Sequence, residues 1–372
     1  MKSWVSLSLF TVVMFFVIVV TTKHQFEQIR METRWHPFAS SVKESEMDND
    51  DNNGASSFLV SLPRGVGIIA STSDMEIKSP GTGSGDYTGG SVKYSALLAI
   101  PVGLKQKKNV DIMVKKFLSV NCSNILLFHY DGNVDAWNDL KWSGNAIHIL
   151  AHNQTKWWFA KRFLHPDVVS IYDYIFLWDE DIGVENFHPG RFLRIMISEG
   201  LEISQPALDP DLSEVHHRIT IRNKTGKVHR RVHEFRGSLN CSERSTRPPC
   251  TGWVEGMAPV FSRAAWRCVW HLIQNDLIHG WGLDMKLGYC AQGDRTEKVG
   301  VIDSEYIIHQ GIPSLGGSSA NKAQNERSLD LRTHIRRQSM AELEVFRQRW
   351  EQAVRDDEDW TDPFDLRKAD AT

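Results

Sequence analysis

The sequence has little excess charge of either sign and few cysteines, and each shortage excludes a class of protein. Its 372 residues include 43 Lys or Arg and 46 Asp or Glu, which gives a net charge of −3. A balance this close to neutral excludes a histone-like nucleic-acid binder and an acidic solvating protein. Five cysteines are too few for a disulfide scaffold. No internal repeat is visible either.

The overall amino-acid composition is typical of a folded globular protein. Hydrophobic residues make up 41% of the chain and charged residues 24%, so a sizeable core can be buried. Thirteen Trp and 17 Phe argue against global disorder. The length allows about two domains, but the residue pattern described below predicts one α/β body with appendages.

One long apolar run opens the chain. Residues Trp4 to Val20 read WVSLSLFTVVMFFVIVV, and no charge lies between Lys2 and Lys23. A membrane-spanning helix needs about 17–25 apolar residues. A cleaved signal peptide, the alternative, usually has a shorter core and an Ala-x-Ala exit, which is missing here. We therefore expect residues 1–22 to form a short cytoplasmic tail and an uncleaved signal-anchor helix.

Glycosylation sequons and cysteines indicate the compartment of the body. Cys241 and Cys250 bracket a short Ser/Arg/Pro-rich loop, which suits a local disulfide in an oxidising compartment. Cys268 and Cys290 are available for a second bridge, which leaves Cys122 unpaired; five free thiols are the alternative. Four Asn-x-Ser/Thr sequons favour a lumenal body, and they stand at Asn121, Asn153, Asn223 and Asn240. Together these features predict a single-pass type II membrane protein with a lumenal body.

The rest of the chain divides into a stem, a body and a tail. Residues 23–93 are largely polar, acidic or Gly/Ser-rich, and we expect a flexible stem or linker there. The body is predicted over residues 94–317. In the charged tail, 318–372, one helical stripe predicts an amphipathic helix, with Leu343, Phe346, Trp350 and Val354 on it.

Strand-like and helix-like segments alternate in the first half of the body. This alternation predicts βαβ units and a mostly parallel, Rossmann-like sheet flanked by helices. The apolar run from Tyr172 to Trp178 lacks alternation, as in a strand buried on both faces. In the second half, Val215–Phe235 predicts a hairpin, and Ser262 an N-cap for a helix that runs to about Asp276.

Three groups of residues in the body are candidates for chemistry. Asp179-Glu180-Asp181 follows the buried strand, and carboxylates at such a strand end can bind Mg²⁺ or Mn²⁺. Gly252 and Trp253, and further on Trp281 and Asp284, offer close backbone approach, sugar stacking and a base for an acceptor hydroxyl. His309 ends a strand-like stretch and would suit a third metal ligand. Alternatively, the acidic group is a solvated turn, and the other two groups are core or structural residues.

The order of these groups resembles the GT-A class of nucleotide-sugar glycosyltransferases. The resemblance implies that Asp181 binds the metal, that Asp179 contacts the nucleotide beside it, and that His309 is a late metal ligand. Asp284 would be the acceptor base, and Leu283 stands where many members carry an acid. We add Asp131, which ends an earlier strand, as a nucleotide contact.

The body also resembles a plant protein family of unknown function, whose members are often labelled lysine-ketoglutarate reductase trans-splicing related. The strings YIFLWDEDIGVE and PPCTGWVEGMAPVFSRAAWRCVW are among those that carry the resemblance, which runs from about Leu62 to Gly316. The label suggests RNA processing, but the sequence has no zinc-finger spacing and no aromatic RNA-binding signature. The basic segment His216–Arg236 suits phosphate contacts or, alternatively, a solvated hairpin.

The short anchor, polar stem and lumenal body also resemble the layout of Golgi glycosyltransferases, which implies a single-pass type II protein of the Golgi membrane. We therefore expect a metal-dependent glycosyltransferase in the Golgi lumen. It would use Mn²⁺ or Mg²⁺, a nucleotide-diphosphate sugar donor and a glycan or other hydroxyl acceptor, with the membrane as partner of its N-terminal helix. A non-catalytic lumenal binding protein on the same fold is the alternative, followed by an RNA-processing factor. We expect no nucleic-acid partner.

Overall fold

The structure is a computed structural model that describes residues 62–63, 95–120, 123–236, 239–312 and 322–364. All of these belong to one compact unit, Asn53–Thr372. The predicted anchor and stem fall almost wholly outside the described residues, as do Asn121 and Cys122. No helix within the described ranges is long and apolar enough to cross a membrane.

The body is an α/β fold whose strands are short and mostly buried. The strands are β1 (Ala96–Val102), β2 (Ser123–His129), β3 (Ile147–Leu150), β4 (Tyr174–Leu177), β5 (Ile182–Gly183), β6 (Ile203–Leu208), β7 (Val228–His229), β8 (Glu234–Arg236), β9 (Leu239–Cys241), β10 (Val260–Ser262) and β11 (Val299–His309). Nine of them form one curled sheet in the order β3–β2–β1–β4–β10–β6–β11–β5, with β7 joined to β11. Strands β8 and β9 form a separate pair.

The sheet is mixed, whereas the sequence predicted a mostly parallel one. Strand β10 lies between β4 and β6 and is antiparallel to both. The reason lies in the long segment 209–259, which leaves from the carboxyl end of β6 and returns to the same edge of the sheet. The strand that follows must therefore start at this edge and run in the opposite direction. The arrangement remains compatible with a Rossmann-like fold.

Helices cover both faces of the sheet. They are α1 (Lys107–Leu118), α2 (Lys156–Phe163), α3 (Pro189–Ser198), α4 (Arg263–Leu272), α5 (Asp284–Leu287), α6 (Arg295–Lys298) and α7 (Lys322–Asp356). Residues of α1 and α3 pack in one core cluster, and residues of α2, α4 and α7 in the other. Strand β1 contributes alternately to the two, Leu97 to one and Leu98 to the other. Burial on both faces explains why such strands read as continuous apolar runs.

The C-terminal helix α7 belongs to the hydrophobic core. Phe346 and Trp350 are buried in the same cluster as α2 and α4, and Val354 packs against it. Leu343, the fourth member of the predicted stripe, is half-buried. The tail that follows the predicted body therefore completes one face of the sheet.

The predicted hairpin over Val215–Phe235 is wrong. A 3₁₀ turn occupies Arg218–Thr220, and β7 pairs with β11 instead of with the first half of this segment. The buried carboxylate of Asp303 on β11 explains the pairing, because it accepts hydrogen bonds from the Asn223 amide and from His229. A buried carboxylate is costly unless it is paired, and the segment supplies these donors by lying along β11.

The helix cap and the disulfides follow the sequence more closely. The Ser262 hydroxyl accepts a hydrogen bond from the Ala265 amide at 3.0 Å, which caps α4 as predicted. The helix ends at Leu272 rather than near Asp276, because Ile273 is extended. Both bridges are present, and the alternative of free thiols is wrong for these four residues, Cys241–Cys250 and Cys268–Cys290.

Candidate active site at the carboxyl edge of the sheet

The acidic residues lie where several strands end at one edge of the sheet. Strands β1, β2 and β4 are parallel neighbours, and Asp179-Glu180-Asp181 follows the last of them. The fully buried Trp178 holds the start of this turn in the core. In open α/β sheets, ligands bind outside the carboxyl ends of the strands. The placement predicted for this cluster is therefore the placement that the structure has.

Glu180, the middle residue of the cluster, ties the three strand ends together. Its carboxylate accepts a hydrogen bond from the Gly103 amide at 2.7 Å and another from the Tyr130 hydroxyl. Burial raises the pKa of Glu180 to about 7, although both hydrogen bonds oppose the rise. A side chain at Gly103 would place its Cβ 2.5 Å from the Tyr130 hydroxyl oxygen, so glycine is needed there. Nothing in the local sequence distinguishes Glu180 from its acidic neighbours.

Asp181, in the turn after β4, and His309, at the end of β11, come together. The Asp181 Oδ2 lies 3.6 Å from the His309 Nε2 and accepts a hydrogen bond from the Ile312 amide at 2.8 Å. His309 donates from Nδ1 to the Glu214 carbonyl at 3.0 Å, so its Nε2 is the nitrogen that faces Asp181. Burial and the negative charge of Asp179 raise the pKa of Asp181, against the effect of His309. The two residues thus form a buried pair of possible ligands.

Asp179 is held by a lysine that the sequence analysis did not single out. The Lys156 ammonium lies 2.6 Å from the Asp179 Oδ1 and donates a second hydrogen bond to the Gly256 carbonyl at 2.5 Å. The Lys156 side chain is only 9% exposed, whereas that of Asp179 is 35% exposed. Lys156 stands at the start of α2, and its position in the sequence gives no sign that it is buried beside the acidic cluster.

Asp284 has a second carboxyl beside it, that of Glu255. Asp284 begins α5, where its Oδ1 accepts a hydrogen bond from the Met285 amide, and burial raises its pKa to about 6. Glu255 is buried, and burial together with the charges of Asp284 and Asp179 raises its pKa to about 8. Glu255 is thus a site residue that sequence analysis missed, although it stands two positions after the predicted Trp253. Its only signal is an acid within an apolar, Gly-rich string.

Asp131 joins the same edge from β2. Its Oδ2 accepts a hydrogen bond from the Leu104 amide at 2.8 Å and its Oδ1 one from the Asn133 amide at 3.1 Å. Burial raises the pKa of Asp131, but these hydrogen bonds lower it more, and the net shift is downward. Asp131 is therefore an ionised carboxylate that orders the loops after β1 and β2.

The predicted glycine and tryptophan contacts have different surroundings. Gly252 has a φ of +66°, and a Cβ on it would lie 2.5 Å from the Phe364 ring, so this glycine permits close packing with the C-terminal segment. Trp253 is buried, with its ring 4.6 Å from that of His217. Trp281 is 42% exposed, which leaves its ring accessible to a ligand.

The structure therefore brings part of the predicted metal set together. Asp181 and His309 are adjacent, and Asp179 is close enough to Asp181 for its charge to shift a pKa. Within the described ranges, no group of three or more His, Cys, Asp or Glu side chains is arranged as a metal site. Outside this edge, the sequon residues Asn153, Asn223 and Asn240 are exposed.

Comparisons with known proteins give a family but no activity. No curated protein matches the chain. One solved structure that is similar is "4-diphosphocytidyl-2C-methyl-D-erythritolsynthase" from Anaerococcus prevotii DSM 20548, at 11% identity and a TM-score of 0.34. The match covers 66% of this chain and 100% of that one. Residues 55–356 match the model of a family described as "Protein of unknown function (DUF707)", and the chain belongs to that family.

Proposed function

We propose that this protein is a metal-dependent glycosyltransferase that moves a sugar from a nucleotide-diphosphate donor to an acceptor hydroxyl. The observation that carries the proposal is the meeting of Asp181, His309 and Asp179 at one edge of the sheet. Asp284 is connected to this group through Glu255, which interacts with both Asp284 and Asp179. Such an edge, with titratable groups whose pKa values are shifted by burial, is a frequent place for an active site.

The chemistry of Asp181 and His309 fits a divalent cation. With its proton on Nδ1, His309 directs a lone pair from Nε2 toward the Asp181 carboxylate, 3.6 Å away. Two lone pairs that face each other in a buried place repel unless a proton or a cation lies near them. Carboxylate oxygen and imidazole nitrogen are common ligands of Mn²⁺, and Mg²⁺ prefers oxygen. When bound, the ion would neutralise the charge of the diphosphate leaving group.

The remaining residues have separate roles in this proposal. Asp179 and Asp131 face the nucleotide, and the exposed ring of Trp281 stacks on a sugar. Asp284 takes the proton of the acceptor hydroxyl while the oxygen of that hydroxyl forms a bond to the anomeric carbon of the sugar. The bond from that carbon to the diphosphate oxygen breaks, and the diphosphate leaves with the electron pair. A carboxylate with a pKa of about 6 is ionised at neutral pH and suits this role.

The proposal places the catalytic body in the Golgi lumen. Two disulfides support an oxidising compartment, and exposed sequon residues are compatible with it. The membrane anchor at residues 1–22 remains part of the proposal.

The test uses the full-length protein and its Asp181→Asn variant. Release of nucleoside diphosphate from a panel of nucleotide sugars is measured with Mn²⁺, with Mg²⁺ and with chelator, in the presence of mixed glycan acceptors. We expect metal-dependent release that falls by about 10–100-fold in Asp181→Asn, because the cation loses a charged ligand. Asp211→Asn, an exposed carboxylate on a loop near the same edge, is the matched control. Equal activity of wild type and Asp181→Asn, or no release by wild type, would contradict the proposal.

A non-catalytic binding protein is the second candidate, and the Lys156–Asp179 contact favours it. The ammonium already neutralises Asp179 at 2.6 Å, as expected of a site that works without a cation there. Under this alternative, calorimetry with Mn²⁺ and a nucleoside diphosphate gives no binding heat, and wild type releases no product. Under the first proposal, both signals are present.

A further inference from the structure

Glu255 is a buried carboxyl that the roles assigned so far leave unused. The residue is 7% exposed, and its Oε2 has no hydrogen-bond partner within the described part of the chain. Buried polar side-chain atoms nearly always have a partner, and one without calls for an explanation such as strain, a catalytic role or an absent water or ion. An absent substrate is such an explanation.

The position of Glu255 is fixed on both sides by its own backbone. Its amide donates to the Gln205 Oε1 at 2.5 Å, and the next carbonyl, that of Gly256, accepts from Lys156. One residue further, the Met257 carbonyl accepts a hydrogen bond from the Asp179 amide at 2.8 Å. The segment that carries Glu255 thus runs directly beside the acidic turn after β4.

Three charged groups act on the Glu255 carboxyl. Asp284 and Asp179 raise its pKa, and Lys156 on α2 lowers it, while burial has the largest effect and raises it. The Thr220 side chain also lowers this pKa, while the Thr220 hydroxyl donates its own proton to the His217 carbonyl at 2.6 Å. With a pKa of about 8, Glu255 carries its proton at neutral pH, whereas Asp284, at about 6, does not. Two carboxyls with separated pKa values indicate two different roles.

Resting on the proposed function, we propose that Glu255 is a further substrate-binding residue of this site, and that its Oε2 donates a hydrogen bond to an oxygen of the transferred sugar. The segment that carries Glu255 is hydrogen-bonded to Asp179, on the diphosphate side of the proposed site, through the Met257 carbonyl and through Lys156. Glu255 is also close enough to Asp284, on the acceptor side, for the two carboxyls to interact. The part of the substrates that lies between the diphosphate and the acceptor is the transferred sugar. Its hydroxyl and ring oxygens accept hydrogen bonds, and a neutral carboxyl supplies one without repelling the neighbouring carboxylates.

Substitution by glutamine distinguishes whether Glu255 acts as a hydrogen-bond donor or as a base. Glu255→Gln keeps the shape and a hydrogen-bond donor but cannot take up a proton. Activity should therefore survive this change if Glu255 is a donor and be lost if it is a base. Glu255→Leu keeps the approximate size and removes the donor. Glu358→Gln, an exposed position after α7, is the control.

The experiment measures kcat/KM for the nucleotide sugar that wild type uses, from pH 6 to 9, together with the affinity for its nucleoside diphosphate alone. We expect Glu255→Gln to stay within about threefold of wild type near pH 6.5 and to lose the decline that wild type shows above pH 8. We expect Glu255→Leu to lose about 10–100-fold, because a sugar oxygen is left without its partner. The affinity for the nucleoside diphosphate, which lacks the sugar, should stay within about twofold in both variants.

Each other outcome overturns the inference. A loss in Glu255→Gln as large as in Glu255→Leu would make Glu255 a base, and full activity of Glu255→Leu would leave it without a role. Weakened nucleoside diphosphate binding in Glu255→Gln would place Glu255 on the nucleotide instead of the sugar. If wild type itself showed no turnover, the proposed function would be wrong. This outcome is measured without any variant, so it is distinct from a failure of the inference about Glu255.

Discussion

The Nε2 of His309 lies 3.6 Å from the Oδ2 of Asp181, and the other ring nitrogen of His309 is held by the Glu214 carbonyl. The carbonyl fixes the orientation of the ring, and the Ile312 amide does the same for the carboxylate. Hydrogen bonds of this kind orient metal ligands in known sites. A cation that bound here would meet side chains already in place.

Replacement of His309 should therefore weaken metal binding. We expect His309→Leu to lower the affinity for Mn²⁺, measured by calorimetry with a nucleoside diphosphate present, by about 10–100-fold. His334→Gln, on the exposed side of α7, should leave it unchanged. Unaltered Mn²⁺ binding in His309→Leu would remove this residue from the metal site.

A second histidine, His229, should make stability depend on pH. Its Nδ1 lies 2.9 Å from the buried Asp303 carboxylate. Burial lowers the pKa of His229, but the hydrogen bond and charge of Asp303 raise it more, so the pKa lies above its ordinary value of about 6.5. The charged His229–Asp303 pair therefore contributes its full stabilisation of the fold below about pH 6.5. This contribution is lost as the pH rises through the raised pKa of His229.

The measurement compares wild type with His229→Gln by urea denaturation at pH 6 and pH 9. We expect the variant to lower the free energy of unfolding by about 3 kcal/mol at pH 6 and by less at pH 9. A difference that is equal at the two pH values would mean that the charge of His229 contributes nothing.

The two disulfides should contribute unequally to the free energy of unfolding. In the chain-entropy relation, a bridge across 22 positions contributes more than one across 9. We expect replacement of Cys268 and Cys290 by Ala to cost about 3 kcal/mol of unfolding free energy, and replacement of Cys241 and Cys250 somewhat less. Urea denaturation of wild type and of the two double variants measures both losses of unfolding free energy. A larger loss without the Cys241–Cys250 bridge would mean that local packing, and not loop length, sets the contribution.

The core role of α7 predicts a large effect at Trp350. This side chain is 6% exposed, and its ring packs 4.8 Å from that of Tyr289. Trp350→Ala should lower the free energy of unfolding by about 3–5 kcal/mol. Val345→Ala, at an exposed position of the same helix, should change it by less than about 0.5 kcal/mol. Similar effects of the two would mean that α7 is not part of the cooperative core.

If the body is lumenal, exposed sequons should carry glycans. Asn153 has a φ of 58° in a turn, and Asn223 directly precedes the turn at Lys224 and Thr225. We expect Asn153→Gln and Asn223→Gln each to remove one glycosidase-sensitive shift in gel mobility when the protein is made in eukaryotic cells. A protein that glycosidase leaves unchanged would contradict a lumenal body.

The strongest sequence predictions concerned short segments with a local cause. The run from Tyr172 to Trp178 predicts a strand because it is apolar on both faces, and the acids after it must then lie at an edge. Ser262 caps α4 because its hydroxyl satisfies an amide three residues away. The Cys241–Cys250 bridge spans a short loop. In each case the partners are near in sequence.

The sequence by itself determined the α/β class, the acidic turn after a buried strand and the apolar stripe of the C-terminal helix. Only the tertiary structure decided that β10 is antiparallel, that β7 pairs with β11, and that Lys156 and Glu255 belong to the candidate site. These features arise from contacts between segments far apart in the chain, where a buried charge is stable only beside suitable partners. Such partners leave no periodic pattern, so folding alone brings them together.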